Sequence, residues 1–205
     1  MVSHCYGARV ATEFVIVRHG QTDWNLEHRI QGSTDIPLNA TGVAQAEHTR
    51  EALREDEFDA IASSHLQRAE HTAATINASH GKAHHVDERL AERSFASVEG
   101  WTVEQVKAAF TSFDAIVDVE SWHEVSQRMF EALNDLADAY PEGRVLVVAH
   151  GSSIRAVLAA IQEVSPREVP SMLNCSITEI RRNDDGSWLL ESLNDNSHLP
   201  ESLRT

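Results

Sequence analysis

Only two of the 205 residues are cysteines, Cys5 and Cys175, and their separation matches no zinc or redox spacing. Two unrelated thiols in a reducing compartment are the expectation. Long apolar runs are missing too: the longest, Ala156 to Ile161, is six residues, where a bilayer crossing needs roughly 20. Basic charge is scarce, with 17 Lys and Arg against 32 Asp and Glu and a formal net charge of −15. That disfavours a nonspecific nucleic-acid binder, which needs a basic surface. The amino terminus, MVSHCYGARV, has neither the basic opening nor the apolar stretch of roughly 7–15 residues that a secretion signal requires. A cytoplasmic protein is expected. No linker rich in Pro, Gly or Ser, no repeat and no low-complexity tract interrupts the chain, so a single domain over 1–205 is expected.

What is present suits a soluble globular protein: 41% hydrophobic and 24% charged residues, with a mean hydropathy of −0.34. Thr12 to Val17 reads as a buried strand, Asp59 to Ser63 as a second and Arg144 to Ala149 as a third. Thr41 can cap a helix through about Glu55, and a helix from about Leu66 to Ser79 can end at Gly81. A short extended piece, Ala83 to Val86, follows. Thr102 with Gln105 and Ser121 with Glu124 have the spacing in which two side chains satisfy the free amides of a helix start. After Ser121, the residues Trp122, Val125, Met129, Leu133, Leu136 and Tyr140 recur at helical spacing and mark a core stripe, which Pro141 and Gly143 close. A further helix runs through Gln162, and Ser176 to Arg182 with Ser187 to Leu193 forms a hairpin turning at Asp185-Gly186. Alternating strands and helices with a closing hairpin predict an α/β fold: a three-layer α/β/α sandwich around a mainly parallel sheet.

Twelve histidines are more than usual. His80, His84 and His85 cluster, but Gly81 interrupts any helix between them and no carboxylate or thiolate completes a ligand set, so surface histidines are expected and no metal. Two other histidines stand out. Phe14-Val15-Ile16-Val17-Arg18-His19-Gly20 and Val145-Leu146-Val147-Val148-Ala149-His150-Gly151 each run a buried strand into His-Gly. The carboxyl ends of parallel strands line the ligand crevice, so His19 and His150 can face one another there. Gly20 and Gly151 would let backbone approach a ligand. Arg18 and Arg68, the latter at a helix start with unpaired amides, suit an anion. Arg155, one turn past His150, is expected in a helix-surface ion pair.

Arg18-His19-Gly20-Gln21-Thr22-Asp23-Trp24-Asn25 resembles the Arg-His-Gly-x-Thr-x-x-Asn signature of the histidine phosphatase superfamily, in its phosphoglycerate-mutase-like branch. Gln31-Gly32 through Asp35-x-Pro37-Leu38, Ser64-x-Leu66-x-Arg68-Ala69-x-x-Thr72-Ala73, Leu90-x-Glu92 with Glu99-Gly100, and Val148-Ala149-His150-Gly151 follow in the family's order. The resemblance implies that His19 is the nucleophile that becomes phosphorylated. Arg18, Asn25, Arg68 and His150 would hold the phosphoryl oxygens, with Gln31, Gly32 and Gly151 near the substrate. Glu92 would be the acid, with Glu99 as runner-up or as a support for loop structure. Beside Glu92, Arg93 would weaken the acid unless it points elsewhere. No metal or other cofactor is implied, because arginines and histidine already neutralise charge.

Glu92 and His150 are 58 residues apart, compact for the branch, and Ser94-Phe95-Ala96-Ser97-Val98 stands where mutases carry an Arg-rich, Tyr-containing stretch. Hydrolysis of a small phosphomonoester is therefore expected, with phosphoglycerate mutase activity and a noncatalytic phosphoryl-binding module as alternatives. A serine hydrolase is disfavoured because the Gly-x-Ser-x-Gly elbow is absent. A small helical lid at about 93–120 is expected over the pocket. A homodimer through an edge strand is a family-level expectation. Sugar phosphates, phosphoglycerate derivatives, phosphoserine and nucleotide-like monoesters all remain open as substrates.

Overall fold

The computed structural model describes residues 11–204. Cys5 and the amino-terminal stretch read above as lacking a secretion signal lie outside these residues. Six strands form one sheet in the order β3-β2-β4-β1-β5-β6, with β1 Ala11–Arg18, β2 Ala60–Ser63, β3 His84–Val86, β4 Arg144–Ala149, β5 Ile177–Asn183 and β6 Trp188–Asp195. β1 pairs parallel with β4, and β2 parallel with both β4 and β3. β5 pairs antiparallel with β1 and β6 antiparallel with β5, so β5 alone of the six runs against the others.

The central strands are apolar on both faces because helices cover both. Phe14 and Ile16 of β1 and Val145, Val147 and Ala149 of β4 meet α5 (Trp122–Ala139) and α6 (Gly151–Gln162). The alternate residues, Val15, Val17, Leu146 and Val148, point the other way, into a cluster with Ala69, Ala73 and Ile76 of α3 (Gln67–Asn77). Beside α3 on that face lies α2 (Ala40–Ala52). The expected three-layer sandwich with a mainly parallel sheet is thus the observed one. No helix among the described residues is long and apolar enough to cross a membrane.

Two further short α-helices lie among the described residues: α1 (Asp23–Leu26) and α4 (Val103–Ala109). Capping boxes form at Thr102/Gln105 and Ser121/Glu124 as their spacing predicts. Val125, Met129 and Leu133 are fully buried along α5, while Trp122, Leu136 and Tyr140 pack half-buried at the margin of the same cluster. One cap differs from expectation. α2 starts at Ala40, and Asn39 rather than Thr41 accepts the Gly42 amide, at 2.9 Å. Asn, two residues earlier, is the stronger N-cap acceptor of the two.

Residues between Arg93 and Glu120 gather a small apolar cluster of their own: Val98, Val106 and Ile116 with Ile30, edged by Phe95 and Phe113. Backbone bonds stitch it to the loop after α1, from Ile30 N to Trp101 O at 2.9 Å, Gly100 N to Ile30 O at 2.8 Å and Val103 N to His28 O at 3.1 Å.

Candidate active site

A cavity of about 480 Å³ opens at the carboxyl ends of β1 and β4, lined by Arg18, His19, Asn25, Gln31, Gly32, Arg68, Glu92 and Gly151 among others. His150 is fully buried behind them, its ring centroid 5.1 Å from that of His19. The structure therefore brings all nine sequence-predicted site residues to one place.

His19 follows the last residue of β1, and its backbone is fixed on both sides. Its amide donates to Ala149 O at 3.0 Å, and the next amide, Gly20 N, donates to Thr72 Oγ1 at 3.1 Å. Its Nδ1 lies 2.7 Å from Gly20 O, a carbonyl that can only accept. The proton is thus on Nδ1, and Nε2 carries the lone pair. Burial holds the imidazole well below its usual pKa of 6.5, with Arg68 and Arg18 adding to the effect, so the ring is neutral at physiological pH.

His150 has the opposite tautomer. Arg68 Nε donates to its Nδ1 at 3.2 Å, which leaves the proton on Nε2, a buried atom without a partner among the described residues. Burial and the nearby Arg68 lower this pKa too. The two rings thus present a lone pair and an N–H to one spot. Burial lowers the Arg68 guanidinium to about 10, still cationic at neutral pH. Its terminal nitrogens donate to Thr34 O at 2.9 Å and Gly32 O at 2.8 Å. Each terminal nitrogen has two hydrogens, so one on each is left for a ligand. Arg18 is less committed: one terminal nitrogen donates to Met172 O at 2.6 Å and its buried Nε has no partner. Asn25 receives Thr22 N, Thr22 Oγ1 and Asn174 Nδ2 on its Oδ1, so its own Nδ2 is the end offered to the cavity.

Glu92 is held where α6 begins. Its Oε1 accepts from Arg93 N at 2.8 Å, Ser152 N at 3.0 Å and Ser153 N at 3.0 Å, and its Oε2 from Ser152 N at 3.1 Å. Oε2, bonded once, is the oxygen with room for a proton. Arg93 points away, as the acid role needs. It is 2% exposed, stacks 4.2 Å over the Trp122 ring, and bonds Glu120 O and Asp114. Glu99 supports a loop: Ser33 N, Thr34 N, Thr34 Oγ1 and Phe95 N all donate to it. Gly32 turns there at φ 53°, where a Cβ would run into the Glu99 carboxylate.

Three expectations are corrected. Carboxylates of the protein take up amides at the helix starts near the site that were expected to await an anion: Gln67 N of α3 donates to Asp35 at 2.8 Å, and Ser152 N and Ser153 N of α6 donate to Glu92. Gly20 does not open the backbone to a ligand; a Cβ would stand 2.5 Å from Gly42 O, so this glycine admits α2. At Gly151 the Cβ would meet Arg18 Nε at an ordinary 3.6 Å, on the cavity side. Finally, Arg155 makes no ion pair among the described residues: it lines the cavity and donates to Pro166 O at 2.5 Å.

Sequence reasoning passed over Asn174, whose Nδ2 bonds His19 O at 3.0 Å and Asn25 Oδ1 at 3.3 Å. Its signal was topological: a strand antiparallel to β1 must begin where β1 ends, which delivers residues 171–176 to the crevice. Cys175 beside it is buried, and burial pushes its thiol up to about 12, so it is unreactive. His80, His84 and His85 are spent separately, on the Phe58 ring, Ser63 Oγ and Tyr140 Oη.

Comparison with known proteins agrees with the geometry. The sequence model of the histidine phosphatase superfamily (branch 1) matches residues 14–196. The "Uncharacterized phosphatase PhoE" of Bacillus subtilis is 36% identical over 92% of this chain and 97% of its own length. "Phosphoglycerate mutase-like protein 4" of Arabidopsis thaliana is 34% identical over 93% and 88%. Among solved structures, a mycobacterial glucosyl-3-phosphoglycerate phosphatase superposes with a TM-score of 0.82 at 29% identity, over 91% of this chain and 100% of that one.

Proposed function

Because the chain belongs to the histidine phosphatase superfamily, branch 1, we propose that it hydrolyses small phosphomonoesters through a phosphohistidine on His19. The observation that carries this reading is the pair of opposed tautomers. Nδ1 of His19 is spent on Gly20 O, leaving Nε2 to attack, while His150 aims an unpartnered Nε2–H at the same region.

In the first step Nε2 of His19 forms a bond to phosphorus as the bond from phosphorus to the ester oxygen breaks. Negative charge on the three equatorial oxygens is met by Arg18, by the uncommitted hydrogens of Arg68, by His150 Nε2–H and by Asn25 Nδ2. These donors are fixed before substrate arrives, so little reorganisation is needed. The departing alkoxide takes a proton from Glu92 Oε2. Phosphorylation leaves the His19 ring cationic with Nδ1–H still donating to Gly20 O, which stabilises the intermediate. Water then attacks phosphorus on the face vacated by the alcohol, gives its proton to the Glu92 carboxylate, and the bond to Nε2 breaks. Free phosphate and neutral His19 result, and Glu92 regains the proton it lost.

Charge neutralisation by guanidinium and imidazole supplies what a divalent cation supplies elsewhere, so turnover is expected to continue in the presence of chelator. A screen of cellular phosphomonoesters for phosphate release, with His19→Ala as control, tests the reading. A second reading, phosphoglycerate mutase, is favoured by the mutase-like names among relatives above 30% identity. Incubation with 3-phosphoglycerate and a bisphosphate primer separates them: phosphate release supports hydrolysis, isomer without phosphate supports the mutase.

A further inference from the structure

Glu92 is fixed at two places, and only one of them is its carboxylate. The carboxylate rests on Arg93 N, Ser152 N and Ser153 N. Its main chain lies just past a single 3-10 turn, Glu88–Leu90, outside any strand or α-helix, so no regular backbone pairing holds it. Arg128 of α5 holds it instead. One terminal nitrogen of that guanidinium donates to Arg89 O at 2.7 Å and Ala91 O at 2.8 Å, and the other to Glu92 O at 3.0 Å. Among the described residues no other group donates to Ala91 O or Glu92 O.

The rest of the guanidinium is equally committed. Its Nε donates to Glu120 Oε1 at 2.7 Å, and the second terminal nitrogen also donates to Glu120 Oε2 at 3.0 Å. A guanidinium has five N–H groups, and Arg128 spends one bond from each: two as a fork on a carboxylate, three on main-chain carbonyls. Glu120 in turn accepts from Ser94 N on Oε2 at 3.0 Å and donates its own amide to Ser94 O at 3.0 Å. One side chain thus gathers the main chain at both ends of the segment between Arg93 and Glu120. It ties them to a helix whose place is set by Val125, Met129 and Leu133 in the core.

An ester oxygen takes a proton in the transition state only from an acid within hydrogen-bond reach, and a displacement of about 1 Å can cost about 10²-fold in rate. Arg128 is not among the residues lining the cavity, so it acts on the reaction through the group it holds. Resting on the reading of Glu92 as the acid, we infer that Arg128 is a positioning residue that sets where Glu92 Oε2 stands relative to the leaving oxygen. A brace that served the fold alone would leave the dependence on leaving group untouched. Lysine cannot replace it, because an ammonium is a point charge with three donors and no planar fork.

The test compares phenyl phosphate with p-nitrophenyl phosphate, esters of similar shape whose leaving groups differ in their need for a proton. Their kcat/KM values cover the steps up to release of the alcohol. Arg128→Lys should cost about 10–100-fold on phenyl phosphate and under about 3-fold on p-nitrophenyl phosphate. Added to Glu92→Gln, the same substitution should not change the ratio of the two esters further, since the group through which Arg128 acts is already lost. Glu120→Gln, which keeps Arg128 and removes the charge that orients it, should give a smaller split in the same direction. Thermal unfolding shows whether each variant folds, and if Arg128→Lys does not, the Glu120→Gln ratio decides. Equal losses on the two esters, an unchanged ratio with a lowered thermal midpoint, or a loss that adds in full to that of Glu92→Gln would overturn the inference. If Glu92→Gln itself shows no split, Glu92 is not the acid and the inference falls with it. A split for Glu92→Gln with none for Arg128→Lys defeats the inference alone.

Discussion

The floor of the cavity is made by strand ends. His19 and His150 follow β1 and β4, whose residues pair directly from Phe14 opposite Val145 to Arg18 opposite Ala149, so the sheet register sets the distance between the two rings. The roof, residues between Arg93 and Glu120, has short helices and a small apolar cluster. Its position depends on individual side chains: Arg93 under Glu120 O and Asp114, Asp114 reaching across to Arg167, and Glu99 holding both the Gly32 turn and Phe95 N. The floor is fixed by backbone pairing and holds the groups proposed for phosphoryl transfer, whereas the roof is fixed by side chains and shapes the other end of the cavity.

Substitutions can sharpen that division. The largest effect is expected on the floor. His19→Ala should reduce phosphate release by about 10⁴-fold or more on every ester, because it removes the proposed nucleophile. Next, Glu92→Gln should cost about 10²–10⁴-fold on alkyl phosphates, whose alkoxide needs a proton, and under about 10-fold on p-nitrophenyl phosphate, whose leaving group does not. Equal losses on the two would remove Glu92 from the acid role.

A roof substitution should behave differently. Glu99→Gln leaves the floor's tautomers intact but weakens the acceptor for four donors, and a loss of about 1–3 kcal/mol in urea denaturation is expected. Its kcat/KM should fall through KM, with His19 still phosphorylated. Failure to form phosphohistidine in this variant would mean that floor and roof are not separable.

The pH profile probes the floor through its two histidines. Burial depresses the pKa of both His19 and His150 below 6.5, so the native state binds protons less readily than the unfolded chain. Their contribution to stability is complete above pH 6.5 and is lost as the pH falls from there toward the native values. The acid limb of kcat/KM should likewise lie below pH 6.5, since the His19 lone pair persists to lower pH. A limb centred on 6.5 would indicate a solvated imidazole.

The smallest contrast compares two glycines on the floor. Gly20→Ala forces a Cβ to within 2.5 Å of Gly42 O and should destabilise by about 1–3 kcal/mol. Gly151→Ala meets nothing closer than 3.6 Å and should leave the thermal midpoint nearly unchanged.

The floor was also the legible part of the sequence. Runs such as Phe14 to Val17 and Val145 to Ala149 are apolar on both faces, which suits a covered parallel strand, and the residues after such strands face the crevice. Both capping boxes and the α5 stripe could be read because their signals are local. What escaped depends on tertiary pairing. Asn174 reaches His19 because β5 runs against β1, and no feature near Asn174 announces that. The commitment of helix amides to Asp35 and Glu92 turns on which carboxylates arrive from distant loops, as does the freedom of Arg155. The helix spacing at Arg155 fitted a surface ion pair equally well.

One measurement bears most directly on the whole scheme. Rapid quenching of the protein during turnover of a phosphoryl-labelled ester, followed by peptide mapping under alkaline conditions, should place an acid-labile, base-stable label on His19. Steady phosphate release with the label on another side chain, or with no label captured at any quench time, would contradict it.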